Sequence, residues 1–554
     1  MDTNGSSTCA DMDVSSLTAL LHSHLLLLLA ALVPVLSLLI VSSAKKPPPS
    51  CSNGGPELRL PLPPSPPGIP LLGHLPLLGS LPHRKLRSMA EAHGPVMLLR
   101  FGRVPTVVAS SAAAAQEAMR TRDLAFASRP RVRMAERLIY GRDMVFAPYG
   151  EFWRQARRVS VLHLLSPRRV LSFRRVREQE VAALLDRVRR SSAVNLSDLL
   201  ISYANGVISR AAFGDGGYGL DGDLGAQKLR ELFADFEELL GTVAVGEFVP
   251  WLAWVDKLMG LDAKAARTSE ALDGLLERVI ADHRERRWHH RDQQVAGDGE
   301  VDTDHRDFVD VLLDVSEAED AAGGVHFDTV AIKAIILDMI AAGTDTTFTI
   351  LEWAMAELIN HPPVMCRLQE EVRAIFGVSG AGEVTENHLG GLHFLKAVIK
   401  ETLRLHAPAP LLVPRETVED TELLGYRVPA RTRVLINAWA ISHDPAGWGQ
   451  RAGEFLPERW FESGGGTAAA EYALQLGQDF RFVPFGSGRR GCPGVGFAAP
   501  SIELALASLL YHFDWELPPP AGGTTTSKVD MGERYGLSVR LKAALNLVAK
   551  PWSP

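Results

Sequence analysis

Downstream of residue 150 the apolar positions recur every three or four residues. That period predicts helices at 152–165, 168–190, 227–240, 264–289, 329–359, 364–376 and 497–510. Elsewhere the pattern is that of strands. Residues 96–101 and 106–109 read as short strands around the turn Gly102-Arg103-Val104-Pro105, and similar runs return at 423–428 and 433–438. The polar, Gly- and Asp-rich stretch 291–305 predicts an exposed loop. No internal repeat organises the chain, which reads as strongly helical with a few strand-like pieces.

The first seventy residues follow other rules. Residues 1–16 are polar and acidic without Lys or Arg, and 17–41 are mostly apolar, long enough to cross a bilayer. A cleaved signal peptide would have a basic start and a shorter apolar core. Here the basic residues, Lys45 and Lys46, come after the apolar run. The positive-inside rule then puts 1–16 in the lumen, makes 17–41 an uncleaved transmembrane anchor, and leaves the bulk in the cytosol. Residues 42–70 form a proline-rich linker ending Pro63-Pro64-Ser65-Pro66-Pro67-Gly68-Ile69-Pro70, a stiff spacer before a domain at 71–554.

Composition narrows the function. With 554 residues, 46% hydrophobic and 22% charged, the chain can bury a large core. A net charge of −7 gives no support for a nucleic-acid binder. The four cysteines (Cys9, Cys51, Cys366, Cys492) are too widely spaced for a disulfide framework, which suits a reducing compartment.

One of those cysteines has a special setting: Phe485-Gly486-Ser487-Gly488-Arg489-Arg490-Gly491-Cys492-Pro493-Gly494. Glycines at 486, 488, 491 and 494 permit tight or left-handed turns close to a flat partner. Backbone donors, positive charge and the N-terminal end of the following helix all favour a thiolate, the form that ligates metal. Structural zinc would need about four ligands, and no second cysteine is near. A single axial thiolate is what haem iron uses for O–O cleavage. The pattern F-x-x-G-x-R-x-C-x-G resembles the haem loop of the cytochrome P450 superfamily at each fixed position.

Other motifs follow in the family's order. The predicted 329–359 helix contains Ala341-Ala342-Gly343-Thr344-Asp345-Thr346-Thr347, where Gly and consecutive Thr weaken helix propensity and suggest a bulge or hinge. By the resemblance, Asp345 and Thr346 deliver protons to dioxygen as general acids; by itself the pair reads equally as a satisfied buried contact. Glu401 and Arg404, at i and i+3, would join Arg459 of Pro457-Glu458-Arg459-Trp460 in a network behind the cysteine loop, with Trp460 standing where phenylalanine is usual. Trp153 and Arg157, at i and i+4, share a helix face and offer donors to haem propionates, with Arg415 and Arg490 adding charge. Phe485 and Gly494 belong to the same cofactor-binding set.

Together these segments cover roughly 60–554 and resemble the plant A-type microsomal, 71-like enzymes. The resemblance implies a cytochrome P450 fold, mainly α with small β-sheets, with an N-terminal transmembrane helix at the endoplasmic reticulum, haem b on Cys492, and monooxygenation of a lipophilic small molecule by O2. No flavin or nicotinamide motif is present, so NADPH and FAD/FMN would act only through a separate NADPH-cytochrome P450 reductase. Its dock would be the basic residues Arg154, Arg158, Arg168, Arg169, Arg174, Arg175 and Arg177, which otherwise read as solvated helix faces. Expected pocket liners are Ala341, Ala342, Leu411, Leu412, Val413 and Leu537, under an access roof at 130–145 and 243–258. Indoles, phenylpropanoids, terpenoids and fatty acids all remain open as substrates. The rival readings are a same-fold haem isomerase or dehydratase without O2, a haem sensor or carrier, and a non-haem membrane protein. Asn195 and Asn4 lie in sequons, and a cytosolic domain leaves Asn195 bare.

Overall fold

The computed structural model describes residues 60–191, 193–215, 223–295, 306–322, 327–378, 384–462, 478–519 and 528–553. The expected lumenal segment, anchor and first part of the linker lie outside the described residues, as do Asn4 and residues 296–305 of the predicted loop.

The core is a stack of helices around one long central helix, Thr329–Asn360, most of whose residues are buried. Asp328 starts it, its side chain accepting from Ala331 N at 2.8 Å. Leu196–Phe213, Phe308–Ala322, His393–Leu405 and Val495–His512 pack around it. Thr329–Asn360 and Val495–His512 are long and apolar enough to cross a membrane, yet here they are enclosed by other elements of the globule.

The small sheet lies at one edge. Val96–Phe101 and Val104–Ala109 pair antiparallel, Arg433–Ile436 adds in parallel to Val104–Ala109, and Arg415–Glu416 closes the order antiparallel. Parallel pairing across more than three hundred residues is possible because the intervening helices form the crossover.

Four sequence expectations are corrected. The 168–190 helix is two helices, Pro167–Ser172 and Arg174–Arg189, because Phe173 leaves helical geometry to pack edge-on against Phe308 and Phe497. The 423–428 strand is a hairpin of Thr421–Leu423 and Tyr426–Val428, reversed at Leu424 and Gly425 with φ of 48° and 79°. The helix is unbroken at Gly343, where the sequence suggested a bulge or hinge. A Cβ there would meet Ile208 Cγ1 at 2.9 Å, so this glycine serves close helix contact rather than bending. Finally, residues 60–70 dock on the globule: the carbonyls of Pro61 and Pro64 accept from Arg427 N and Leu98 N, each at 2.9 Å.

Candidate functional site

The cysteine loop comes first. Gly488, at φ 68°, presses so closely on the 117–121 turn that a Cβ would lie 2.1 Å from Met119 O. Gly486 is also left-handed (φ 64°), whereas Gly491 and Gly494 have negative φ, contrary to a uniform turn-forming role. The loop is held from far away in sequence: Arg489 N donates to Asp123 Oδ2 at 3.2 Å, and Arg415 Nη2 donates to Ser487 O at 2.9 Å. Cys492 N returns to Phe485 O at 2.9 Å. Burial pushes the Cys492 thiol up, and the N–H of Gly494, the Arg157 charge and the N–H of Val495 pull it back. Helix Val495–His512 starts directly behind the sulfur.

A cavity of about 250 Å³ opens in front of Cys492. Ala342, Gly343, Thr346 and Thr347 of the central helix line its other wall, with Phe485 and Gly494 on the cysteine side and Leu412 and Val413 at the edge. Thr346 Oγ1 donates back to Ala342 O at 2.6 Å, so its oxygen stays available as an acceptor in the cavity. Three expected liners fall outside this wall. Ala341 is buried in the main core, Leu411 packs with Leu86, Phe101 and Leu435, and Leu537 lies against Gly241. Asp345 is also off the cavity wall. It is 1% exposed, and its oxygens lie beside Ser538 without completing a hydrogen bond. Burial holds its carboxyl above the usual range against the nearby Arg540 charge.

Four guanidiniums converge at one end of the cavity. Arg490 donates to Ala127 O (2.7 Å), Met144 O (3.3 Å) and Ala147 O (2.7 Å), and lies over the Trp153 ring at 4.0 Å. Burial and then the Arg415 charge push Arg490 down to about 9; burial pushes Arg415 down to about 10. Burial also lowers Arg157, whose guanidinium makes no side-chain hydrogen bond among the described residues. Arg129 joins them, lowered well below its usual range by burial and by Arg490 and Arg415, and bound to the carbonyls of Val145, Val413 and Pro414. So much mutually repelling, dehydrated positive charge suits a bound anion. A flat cofactor with two carboxylates, its metal facing Cys492, fits this donor set. Trp153 lines the same cavity, with its indole N–H committed to Met144 O at 3.0 Å.

Behind the loop the expected network is present and larger. Glu401 accepts from Arg404 Nε (2.9 Å) and Nη2 (2.8 Å), Arg459 Nε (2.8 Å), Leu456 N (3.0 Å) and Trp460 Nε1 (3.0 Å). The tryptophan is therefore an added donor, which the sequence treated only as bulk.

Of the expected basic patch, Arg154, Arg158, Arg168 and Arg175 are exposed, while Arg177 is fully buried in an ion pair with Glu386. Of the expected roof, only Met144 and Val145 line the cavity. Phe248 and Val249 pack instead with the 96–109 hairpin, and Arg133 bridges to Asp256 and Asp262. Sequence reading missed Arg129 and Asp338. Arg129 sits in a stretch without periodicity, but a lone acid inside Ile335-Ile336-Leu337-Asp338-Met339-Ile340 was a usable signal.

The family model described as Cytochrome P450 matches residues 63–531. Cytochrome P450 71A1 of Persea americana is 46% identical over 483 residues, covering 86% of this chain and 91% of that protein. Cytochrome P450 71A6 of Nepeta racemosa is 46% identical over 499 residues, covering 88% and 94%. Among solved structures, a zebrafish cytochrome P450 with abiraterone aligns at a TM-score of 0.68 and 24% identity over 86% of this chain and all (100%) of its own, a likeness of fold.

Proposed function

The chain belongs to the cytochrome P450 family, in its plant 71-like group, and is a monooxygenase; from that membership we propose how its residues divide the work. The family implies haem, which when bound supplies the activation of O2 that puts one oxygen atom into substrate and releases the other as water. Cys492 would hold its iron through sulfur; burial raises the thiol, and two backbone N–H groups and Arg157 favour the thiolate against it. Arg129, Arg157, Arg415 and Arg490 would hold its carboxylates. Ala342 and Gly343 leave room above it, and Thr346 Oγ1 offers an acceptor to a proton-bearing group there. Asp345 feeds protons from behind, where Ser538 and Arg540 meet it. Glu401, Arg404 and Arg459 keep the loop rigid.

The substrate is a small lipophilic molecule of plant specialised metabolism, and the electrons come from NADPH through a separate membrane-bound reductase. Exposed Arg154, Arg158, Arg168 and Arg175 support that docking. The catalytic domain, 71–554 with the docked 60–70, lies on the cytosolic face of the endoplasmic reticulum, anchored by 17–41. Exposed Trp251, Trp254, Leu258 and Met259, with Ile69 and Leu71 beside the linker, support a membrane-facing side.

The observation that carries this reading is the lone Cys492 facing the Thr346 wall across a cavity ringed by buried arginines. Its test is the reduced, carbon monoxide-bound spectrum beside Cys492→Ala. A Soret band at ~450 nm in the parent and none in the variant is expected. Soundly folded parent without haem would sink it. NADPH consumption with added reductase and candidate substrates then separates turnover from a sensor or an O2-independent isomerase.

A further inference from the structure

Three segments meet at backbone level beside the end of the proline-rich strap. A Cβ on Gly73 would lie 2.1 Å from Arg100 O, and one on Gly102 would lie 2.1 Å from Phe248 O. Both glycines are left-handed, at φ 62° and 55°. Only hydrogen therefore fits between the strap, the tip of the 96–109 hairpin and the segment at Phe248. The buried His74 ring pins the strap, with Nδ1 accepting from Arg100 N at 2.9 Å and Nε2 donating to Pro66 O at 2.9 Å.

A cavity of about 470 Å³ lies here, and it shares no lining residue with the one at Cys492. Its walls divide by chemistry. Arg100 and Arg103 bring two exposed guanidiniums, neither of them in a hydrogen bond or ion pair among the described residues, and no lining residue is acidic. The rim is apolar: Ile69, Leu71 and Trp251 are 41%, 39% and 54% exposed. Nearby backbone donors are already committed. The N–H groups of Gly73, His74, Gly102 and Arg103 go to Ile69 O, Arg100 O, Leu72 O and Phe248 O, at 2.7, 2.7, 3.0 and 3.0 Å. An anion in this cavity is thus held by the two guanidiniums, whose forked donors match phosphate oxygens.

Unpaired charge beside exposed apolar surface fits an amphiphile, and the chain supplies its source. Residues 17–41, read as the membrane anchor, precede the strap, and the stretch from 41 to 60 spans at most about 65 Å. That tether keeps the cavity within reach of the leaflet the domain faces. We propose that the cavity binds the headgroup of one anionic phospholipid of that leaflet, its phosphate between Arg100 and Arg103 and the first carbons of its chains on Ile69, Leu71 and Trp251. This rests on the anchored reading of 17–41, to which it adds a choice among lipids.

The test uses the full chain with haem, in dodecyl maltoside micelles containing equimolar dioleoyl phosphatidylglycerol and dioleoyl phosphatidylcholine. Native mass spectrometry counts the lipids retained, and their ratio on the protein reads headgroup choice. Phosphatidylglycerol is expected over phosphatidylcholine by about tenfold. Arg100→Gln with Arg103→Gln brings the ratio within about twofold of one, whereas Lys45→Gln with Lys46→Gln, beside the anchor, leaves it at about tenfold. Equal retention of the two lipids by the parent would overturn the proposal, as would a ratio that survives the arginine change or falls with the lysine change. Preference for phosphatidylcholine, the mark of Trp251 taking the choline cation, would overturn it too. So would displacement of the lipid by inorganic phosphate at equal concentration, which would make this a free-phosphate site. If the double arginine variant does not fold, Arg103→Gln alone decides, with the ratio lowered about threefold. Extraction of the full chain from membranes by carbonate would indict the anchored reading instead, and would leave the lipid ratio to judge the site.

Discussion

Glu401 and Asp345 are equally withdrawn from water, 0% and 1% exposed, and the fold treats them oppositely. Glu401, behind the cysteine, is saturated by donors from Arg404, Arg459, Leu456 and Trp460. Asp345, on the central helix, has no well-formed hydrogen bond: Ser538 stands beside it with poor geometry, and Arg540 acts through space. The first is a fastener. The second is held poorly solvated and near its proton, which suits a group that must exchange one. On the proposed function the satisfied acid is structural and the unsatisfied one carries protons.

Removing each group should break the comparison in different currencies. Glu401→Ala strands the buried Arg404 charge and should cost ~3–5 kcal/mol in denaturant unfolding, with haem loading lost. Asp345→Asn removes no hydrogen bond, so its melting should match or exceed the parent's. Its substrate turnover, however, should fall ~10²-fold with a larger solvent isotope effect. Turnover unchanged in that variant would leave Asp345 as mere packing.

The Asp345 side can also be probed by pH. Gly241 abuts Leu537, and Thr349 Oγ1 meets Ser538 Oγ at 2.8 Å, so Glu237 and Asp345, one turn earlier on each helix, are brought together beside Ser538. Burial, then the Asp345 charge, push Glu237 from 4.5 up to about 8. A raised folded value means the neutral acid is the stable form. Its contribution is complete below pH 4.5 and is lost as pH rises through about 8. Glu237→Gln should abolish this decline, on the order of 5 kcal/mol in unfolding free energy between those limits. An unchanged pH slope would remove Glu237 from the pair. The smallest effect is on the fastened side: Trp460→Phe deletes one donor of several to Glu401 and should cost about 1.5 kcal/mol without changing turnover.

Sequence showed what depends on residue type and spacing. Cys492 among its glycines, Glu401 with Arg404 and Arg459, and the period of the central helix were all legible. Direction was not. Ala341 and Ala342 differ by one helical step of about 100°, and only Ala342 meets the cavity. Leu411 and Leu412 part because Leu412 takes φ 51° and turns the chain. Arg129 joins segments with no shared pattern, and Gly343 read as a weak point when its partner, Ile208, lay on another helix.

The seat of the cysteine loop on Asp123 has a consequence for biosynthesis. Arg489 and Asp123 are 366 residues apart, and Arg490 reaches Ala127, Met144 and Ala147 over separations of 363, 346 and 343. These are contacts of very high order, which form late because a long loop must close first. During vectorial synthesis Arg129 and Arg157 emerge long before residues 488–492 leave the ribosome, and Arg129 must also wait for Val413 and Pro414. The two halves of the donor set, Arg129 and Arg157 on one side and Cys492 on the other, therefore come together only at the end of translation.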